Sequence, residues 1–418
     1  MRPLKHTTEL LGIKDTNIKI CFTFEVSTHI EIRAKLDYPA PVCPHCQGKM
    51  IKYDFQKPSK IPLLEQAGKP TLLRLKKRRF QCQDCRRVVV AQTSIVEKNC
   101  QISNLVRTKV ADLLMEKRSL TDIARKLSIS ISTVYRKLNQ FTFKETLDRL
   151  PKIMSWDETS WKKGQLAFIA QDYETRKLIT MLDNRRQTTI KDYFLKYPLK
   201  VRRQVQFITM DMAGGYIALA KQLFPHAKIV LDRFHIIQHL SRAMNTVRIQ
   251  IMKQQNASSP LYRLLKYHWR LFLKDSAKLS TKRFYSRVLR CHQTPQDLIE
   301  KVTALSPDFA QHYERYQLLL HHFHAKNKEY FFSLIEEDQT TVHHAFQTVF
   351  RTFHKLRPEI ENALDYPYSN AKLEATNKLI KDIKRQGFGF RNFPNFKKRI
   401  FITLNIKKER TLTILSRI

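Results

Sequence analysis

Glycine is scarce in this chain, with 8 residues in 418, against the roughly 7% usual in globular proteins. That scarcity argues against collagen-like, linker-rich or glycine-loop architectures. No Walker-type or dinucleotide-type glycine loop is present, so nucleotide-driven chemistry is not expected. Carboxylates are also in short supply: 37 Asp+Glu stand against 76 Lys+Arg, for a formal net charge of +39. A surface this basic captures polyanions, which makes nucleic acid the leading partner and an anionic membrane surface the rival. Apolar runs are short. Nowhere do roughly 18 apolar residues follow one another, so no membrane span is expected. Lys14, Asp15 and Lys19 interrupt the first apolar stretches, and the N-terminus does not read as a signal peptide. The cysteines number seven, and four of them fall in two close pairs. That usage fits a reducing cytosol with metal binding better than an oxidised framework.

What is present is a normal globular complement, 42% hydrophobic and 10% aromatic, so the charge sits on folded domains rather than on a disordered tail. The length suggests two to four domains. A soluble, cytosolic polyanion binder is the expectation.

Cys43-Pro-His-Cys46 and Cys82-Gln-Asp-Cys85 are two C-x-x-C knuckles, which offer four thiolates to one structural Zn²⁺. Redox pairing is the alternative for the same spacing. His45 lies inside a knuckle and is not expected to be a ligand; Cys21, Cys100 and Cys291 are isolated. Between the knuckles, Leu73-Arg74-Leu75-Lys76 alternates as a strand and runs into Lys76-Lys77-Arg78-Arg79. A zinc ribbon whose hairpin carries phosphate-contacting cations follows, with Arg78 and Arg79 as candidates. From Ser119 to Leu138, one helix from about Thr121 buries Ile123, Ala124 and Leu127. Ser128-Ile129-Ser130 breaks it, and a second helix from Ser132 buries Val134 and Leu138. This suits a helix-turn-helix offering Ser132, Thr133, Tyr135, Arg136 and Lys137 to a major groove; an ordinary helical hairpin is the alternative.

After Pro151 the texture changes to strands. Residues 152–156 read as a strand ending at Asp157. Leu166–Gln171 and Lys177–Asp183 read as a hairpin, and Val205–Met210 as a strand ending at Asp211. A helix Tyr216–Phe224 follows, then a strand Lys228–Leu231 delivering Asp232 before His235. This is the ribonuclease H-like order, in which adjacent strand ends bring carboxylates together, a costly arrangement unless a dication lies between them. Residues 240 to 355 read as almost continuous helix. Its clustered His321, His322 and His324 read as a partly solvated basic face. His235 and His239 have zincin spacing, but Ile236 replaces the required Glu, which excludes a metalloprotease. Ser369 is a candidate cap for a helix through LEATNKLIKDIKR, with Leu373, Thr376, Ile380 and Ile383 on an apolar stripe. Glu374, Asn377, Lys378, Lys381 and Arg385 form the polar stripe, which could aim Glu374 at metals and the cations at phosphates. A solvated charged face with a Glu–Lys pair is the alternative.

These motifs, in this order, resemble the ISL-three family of bacterial insertion-sequence transposases with an Asp-Asp-Glu site. The resemblance rests on the ribbon cysteines, WDETSW around Asp157, ITMDMAGGY around Asp211, LDRFHI around Asp232 and the closing block YSNAKLEATNKLIKDIKRQGFGFRNFPNFKKRI. It implies Asp157, Asp211 and Glu374 as a catalytic triad holding two Mg²⁺ or Mn²⁺, with Asp157 bridging both ions. It implies a helical insertion ahead of the Glu374 helix and a DNA-touching role for Lys381. Asp232 and His235 match a recurring family motif and are auxiliary positions, not metal ligands. The expected fold class is an α/β, ribonuclease H-like catalytic core with an all-α insertion, preceded by the ribbon and the helix-turn-helix. The expected segments are 1–100, 101–150, 151–240, 241–360 and 361–418, the last carrying the Glu374 helix in the core.

The expected partner is double-stranded DNA, as terminal inverted repeats and target, bound by a homodimer or larger assembly in the bacterial cytoplasm at the nucleoid. Cleavage by water would free a 3′-hydroxyl that then attacks target DNA. A DNA-binding regulator with an inert core, or a nuclease without strand transfer, are the alternatives.

Overall fold

The computed structural model describes residues 8, 11–143, 145–212, 214–337 and 342–406. The two extremes of the expected terminal segments, 1–7 and 407–418, lie outside the described residues. The chain divides into two compact units. One comprises Met1–Glu145, Trp161–Lys163 and Leu379–Ile418; the other comprises Thr146–Ser160 and Gly164–Lys378.

The first unit opens with a six-stranded sheet: β1 (Ile18–Glu25), β2 (Ile30–Leu36), β3 (Met50–Phe55), β4 (Ser59–Gln66), β5 (Lys69–Cys82) and β6 (Val88–Val90). Strand β5 organises it. Its first half lies between β2, in parallel, and β4; its second half lies between β3 and β6. Thr71, Leu73 and Leu75 are buried in the first half, whereas Phe80 and Cys82 are buried in the second. The buried side therefore changes along the strand, as the right-handed twist of a long strand allows. Ile32, Ala34, Leu36, Ile61, Leu63 and Phe80 join Cys43 and Cys82 in one core.

Three helices follow: Asn104–Met115, Leu120–Lys126 and Ile131–Gln140. Each begins at a serine, Ser103, Ser119 or Ser130, whose hydroxyl accepts from a backbone N–H one turn on, satisfying a donor that the helix leaves unpaired. Ser128 in the break has φ 51, the left-handed geometry that stops a helix. Ile123, Ala124, Leu127, Val134 and Leu138 are all buried, together with Ile402 from helix Phe393–Asn405.

The second unit is built on a five-stranded sheet: β7 (Ile153–Lys162), β8 (Gln165–Asp172), β9 (Leu178–Leu182), β10 (Phe207–Met210) and β11 (Lys228–Leu231), in the order β11-β10-β7-β8-β9. Strands β10 and β11 are parallel to each other, and β10 is parallel to β7; β8 and β9 form the antiparallel hairpin. Strand β7 does not end at Asp157 but continues to Lys162. Trp156 is fully buried and packs 5.2 Å from both Phe168 and Phe194.

The stretch after β11 is broken rather than continuous helix. It contains Arg233–Gln254, Pro260–Tyr267, Pro295–Leu305, Pro307–His324, Lys328–Glu336, His344–Lys355 and Arg357–Asp365, besides shorter turns. It is also not all-α, because β12 (Phe284–Ser286) and β13 (Cys291–Gln293) pair as a ribbon. Its helices share one apolar cluster with the sheet, including Met154, Leu231, Met244, Phe309 and Phe350. Helix Ala371–Gln386 is counted with the second unit through Lys378 and with the first from Leu379. On the C-terminal helix Phe393–Asn405, Arg399 is 2% exposed. Its guanidinium donates to the carbonyls of Leu114, Glu116 and Arg118, which ties the C-terminal helix to the helix-turn-helix.

Candidate functional site

Parallel register sets three carboxylates level. Ser155 of β7 stands opposite Thr209 of β10, and Thr209 stands opposite Val230 of β11. Two residues further along the three strands come Asp157, Asp211 and Asp232, on adjacent strands about 4.8 Å apart. Burial pushes the Asp157 carboxyl up to about 7; the Glu158 N–H opposes this, and the charges of Asp211 and Glu158 add to it. Asp211 is raised as well, first by burial, with the His235 charge and the Asn370 amide pulling back and Asp232 and Glu374 adding to the rise.

Glu374 is supplied by helix Ala371–Gln386. Leu373, Ile380 and Ile383 are buried as the apolar stripe requires, and so is Thr376, which accepts a hydrogen bond from Gln171 at 2.8 Å. The helix is entered at Asn370, one residue after the expected cap Ser369: the carbonyl of Asn370 accepts from the N–H groups of Leu373 and Glu374. Two asparagines, Asn370 just ahead of this helix and Asn377 on its polar stripe, hold it in place. Asn370 Nδ2 donates to Asp211 Oδ1 at 3.4 Å and to the Trp156 carbonyl at 3.3 Å. Asn377 Nδ2 donates to Asp157 Oδ2 at 2.6 Å and to the Glu158 carbonyl at 3.2 Å. Asn370, Glu374 and Asn377 recur at i, i+4 and i+7, one helical face. Glu374 is therefore bracketed by a contact to each aspartate. That spacing was the available signal.

Asp211, Asp232 and His235 bring ligand atoms within 4.8 Å of one another. Asp157 and Glu374 stand outside that set. His235 Nε2 lies 3.2 Å from Asp211 Oδ2, and Asp232 Oδ1 caps helix Arg233–Gln254 by accepting from the Phe234 N–H at 3.0 Å. Glu158, next to Asp157, pairs with Arg185 at 3.0 Å and accepts a hydrogen bond from the Tyr216 hydroxyl at 2.7 Å. Hard oxygen donors held half-buried against mutual repulsion suit a divalent cation. Asn377 Oδ1 adds to that fit, being buried with no hydrogen-bond partner among the described residues.

In the first unit the four cysteine sulfurs converge, with Cys43–Cys85 at 3.7 Å and Cys46–Cys82 at 3.5 Å. Tetrahedral zinc with bonds of about 2.3 Å sets sulfurs about 3.8 Å apart, so the donor set fits. The knuckles share one backbone pattern. Gln47 and Arg86, each following the second cysteine, have φ 60 and 58, and the Cys43 and Cys82 N–H groups donate to the carbonyls of Gly48 and Arg87. The Cys43 thiol is lowered to about 6, chiefly by the backbone N–H groups of Cys46 and His45. His45 is exposed and outside the cluster.

The DNA-contact candidates fare differently. Arg78 is engaged by Asp37 at 3.2 and 3.1 Å, and Arg79 by Asp54. Arg136 is exposed, whereas Thr133 and Lys137 are half-buried; all three line a cavity of about 460 Å³. Tyr135 accepts from Asn395 at 3.2 Å, which holds its hydroxyl below the usual tyrosine range. Lys378 and Lys381 are exposed, and exposed Arg385 pairs with Asp382 at 3.1 Å. His324 pairs with Asp275 at 3.1 Å, in keeping with a partly solvated face. Among the described residues no helix is long and apolar enough to cross a membrane.

A cysteine ribbon, a helix-turn-helix and a carboxylate-bearing mixed sheet together describe a nucleic-acid-processing protein. Three family profiles match the chain: "Transposase" over residues 154–400, "zinc-finger of transposase IS204/IS1001/IS1096/IS1165" over 39–85, and "Helix-turn-helix domain of transposase family ISL3" over 91–142. The first spans more than half of the chain, which therefore belongs to the ISL3 family of transposases. A Bordetella parapertussis protein named "Transposase for insertion sequence element IS1001" is 20% identical over 77% of this chain and 78% of its own length. A Lactococcus lactis subsp. lactis protein named "ATP-dependent protease" is 38% identical over 112 residues, 27% of this chain. The chain spans about a third of that protein's length, 36%.

Proposed function

We propose that this chain is the DDE transposase of a bacterial insertion sequence, which binds the element's terminal inverted repeats and catalyses metal-dependent strand cleavage and strand transfer. The observation that carries the reading is the level register of Asp157 within β7 and Asp211 just past the end of parallel β10, with Asn370 and Asn377 bracketing Glu374 against both. The sheet order, with the antiparallel hairpin on one side of β7 and the parallel pair on the other, supports a ribonuclease H-like core.

Asp157, Asp211 and Glu374 would hold two Mg²⁺ or Mn²⁺, which when bound activate the attacking oxygen and stabilise the departing one. Asn377 fixes the Asp157 carboxylate, and Asn370 fixes that of Asp211. Arg185 and Tyr216 keep the neighbouring Glu158 from competing as a free charge. His235 stands beside Asp211 as a positioning residue and, with Asp232, is not assigned as a ligand. Cys43, Cys46, Cys82 and Cys85 would hold one structural Zn²⁺. Thr133, Arg136 and Lys137 would meet DNA through the helix-turn-helix, and Lys378, Lys381 and Arg385 through the Glu374 helix. Joining two ends calls for at least a homodimer on double-stranded DNA, in the bacterial cytoplasm.

The test is incubation of purified protein and Mg²⁺ with a labelled duplex carrying the element's terminal repeat, beside Asp211→Ala. Cleavage at the repeat and joining to a second DNA, both lost in the variant, are expected. Repeat-specific binding without metal-dependent cleavage would instead support a regulator; cleavage without joining would support a nuclease.

A further inference from the structure

The first sheet carries two rows of cations that extend beyond the ribbon: Lys19, Arg33 and Lys35 lie ahead of residues 39–85, and Lys60, Arg74 and Lys76 lie within them. On β2 and β5 the core face is Ile32, Ala34, Leu36, Leu73 and Leu75, so Arg33, Lys35, Arg74 and Lys76 point the other way. Cross-strand register sets Lys19 opposite Lys35 and Lys35 opposite Lys76. All three lysines are exposed. In the next row Phe22 stands opposite Arg33, Arg33 opposite Arg74, and Arg74 opposite Lys60. Like charges directly opposite on neighbouring strands oppose sheet formation, and two successive rows repeat the arrangement. Within this face Glu31, 4% exposed, is spent on Arg33 at 2.8 Å and Arg74 at 2.6 Å. It fixes the guanidiniums without neutralising the lysine row. A groove of about 410 Å³ runs between the rows, lined by Cys21, Phe22, Arg33, Lys35, Arg74 and Lys76.

We infer that this face is a docking surface for the phosphate backbone of duplex DNA, contacted without regard to sequence. The ligand must be an extended polyanion, because the positive charge is spread over four strands rather than gathered into a pocket. Duplex DNA presents about one negative charge per 1.7 Å of axis, enough to engage both rows at once. A single strand would call for successive aromatic faces on which to stack bases. Here Phe22 is open, at 68% exposure, while the Arg33 guanidinium lies 4.8 Å over the Phe24 ring. Strands β1 and β2 precede residues 39–85 of the matched ribbon, so the surface is assembled partly outside it. Its contacts would hold DNA flanking whatever site the helix-turn-helix reads.

The inference rests on the proposed DNA-processing function, and its test separates the two. Full-length protein and a Lys19→Ala/Lys35→Ala/Lys76→Ala variant are titrated with a labelled random-sequence duplex over a range of salt, with zinc content and melting checked in both. Each lost phosphate contact lowers the log–log salt slope by about 0.9. The variant is therefore expected to show a slope smaller by about 2 to 3 and, near 0.1 M salt, at least tenfold weaker binding. Replacing the same lysines with arginine should restore both. Bound duplex should also shield Cys21 from maleimide, read by peptide mass spectrometry. Unchanged slope and affinity in the alanine variant, or an unshielded Cys21 under saturating duplex, would overturn the inference. Binding to phosphatidylserine vesicles that the alanine variant loses, with duplex binding intact, would overturn it in favour of a membrane. A wild-type chain that binds neither random nor repeat duplex would instead remove the proposed function itself.

Discussion

Asn377 Nδ2 sits 2.6 Å from Asp157 Oδ2, joining the middle strand of the sheet to the helix that carries Glu374. A neutral amide donor there orients the carboxylate without adding charge, where a lysine would compete with a cation. Residues that orient a ligating carboxylate typically contribute 10–100-fold to metal affinity or activity. Asn377→Ala should therefore lower the rate of metal-dependent strand cleavage by about 10–100-fold and raise the Mg²⁺ needed for half-maximal rate. Asn377→Asp, which adds a further negative charge to Asp157, Asp211 and Glu374, should do worse. Wild-type cleavage by Asn377→Ala across a Mg²⁺ titration would show that the amide does not position Asp157.

The raised Asp157 carboxyl gives a pH prediction with a definite sign. Its folded pKa of about 7 lies above the 3.8 of an ordinary aspartate, so the metal-free folded chain holds this proton more tightly than the unfolded chain does. Stability falls with pH wherever the folded state binds more protons. The favourable contribution is complete below about 4 and is lost as pH rises through about 7. Metal-free protein should therefore melt at a lower temperature at pH 8 than at pH 6, and Asp157→Asn should remove most of that difference while abolishing cleavage. Mg²⁺ should restore the wild-type melting temperature more strongly at pH 8 than at pH 6, because binding displaces the proton. Calorimetry at the two pH values decides it: the same pH difference in wild type and Asp157→Asn would assign the effect elsewhere.

How far the sequence foretold this site depends on the kind of signal each residue leaves. Asp211 and Asp232 were legible because a strand that stops before an aspartate shows as an apolar run ending at a charge, whereas β7 runs on past Asp157 to Lys162. The buried stripe Leu373, Ile380 and Ile383 was legible because helical periodicity is a packing signal. Asn370 and Asn377 were not, since amides on a polar stripe look the same whether they meet water or a carboxylate. Arg399 sits in Lys397-Lys398-Arg399, which reads as solvated charge, yet burial lowers it to about 10. Helix boundaries after residue 240 were marked but went unused. Ser259-Pro260, Thr294-Pro295 and Ser306-Pro307 each place a capping hydroxyl before a proline at the first helical position, the ordinary start signal. Helix Gln187–Leu195 lay in a stretch with no chemical motif to draw notice.

Arg399 offers a stability test. Its guanidinium meets three carbonyls at the end of helix Asn104–Met115 and in the turn after it. Stranding such partners costs about 1–3 kcal/mol for each group left unsatisfied. Arg399→Met should lower the transition assigned to residues 104–140, read as faster amide exchange there, and weaken duplex binding. Arg399→Lys should rescue little, because one ammonium on a flexible stem cannot reproduce a planar fork. Unchanged exchange across 104–140 in Arg399→Met would mean that the C-terminal helix is not what holds the helix-turn-helix.

The four-cysteine cluster predicts a metal dependence separate from that of the carboxylates. Cys43 and Cys82 are fully buried in the core that holds Phe80 and Leu75, so the metal site and the hydrophobic interior of the first sheet share side chains. Removing zinc leaves sulfurs 3.5 and 3.7 Å apart with no cation to hold them together, next to that interior. Purified protein should carry one zinc per chain by elemental analysis. A strong chelator, or Cys82→Ser, should release it with loss of the sheet's cooperative melting, because binding energy at such sites is folding energy. Mg²⁺ should not substitute, since soft thiolates discriminate against hard cations. Cleavage would fall for want of a folded DNA-binding unit, while Asp211→Ala would keep its zinc and its melting. A Cys82→Ser protein with full zinc content and unaltered melting would sink the assignment of these four residues as a structural site.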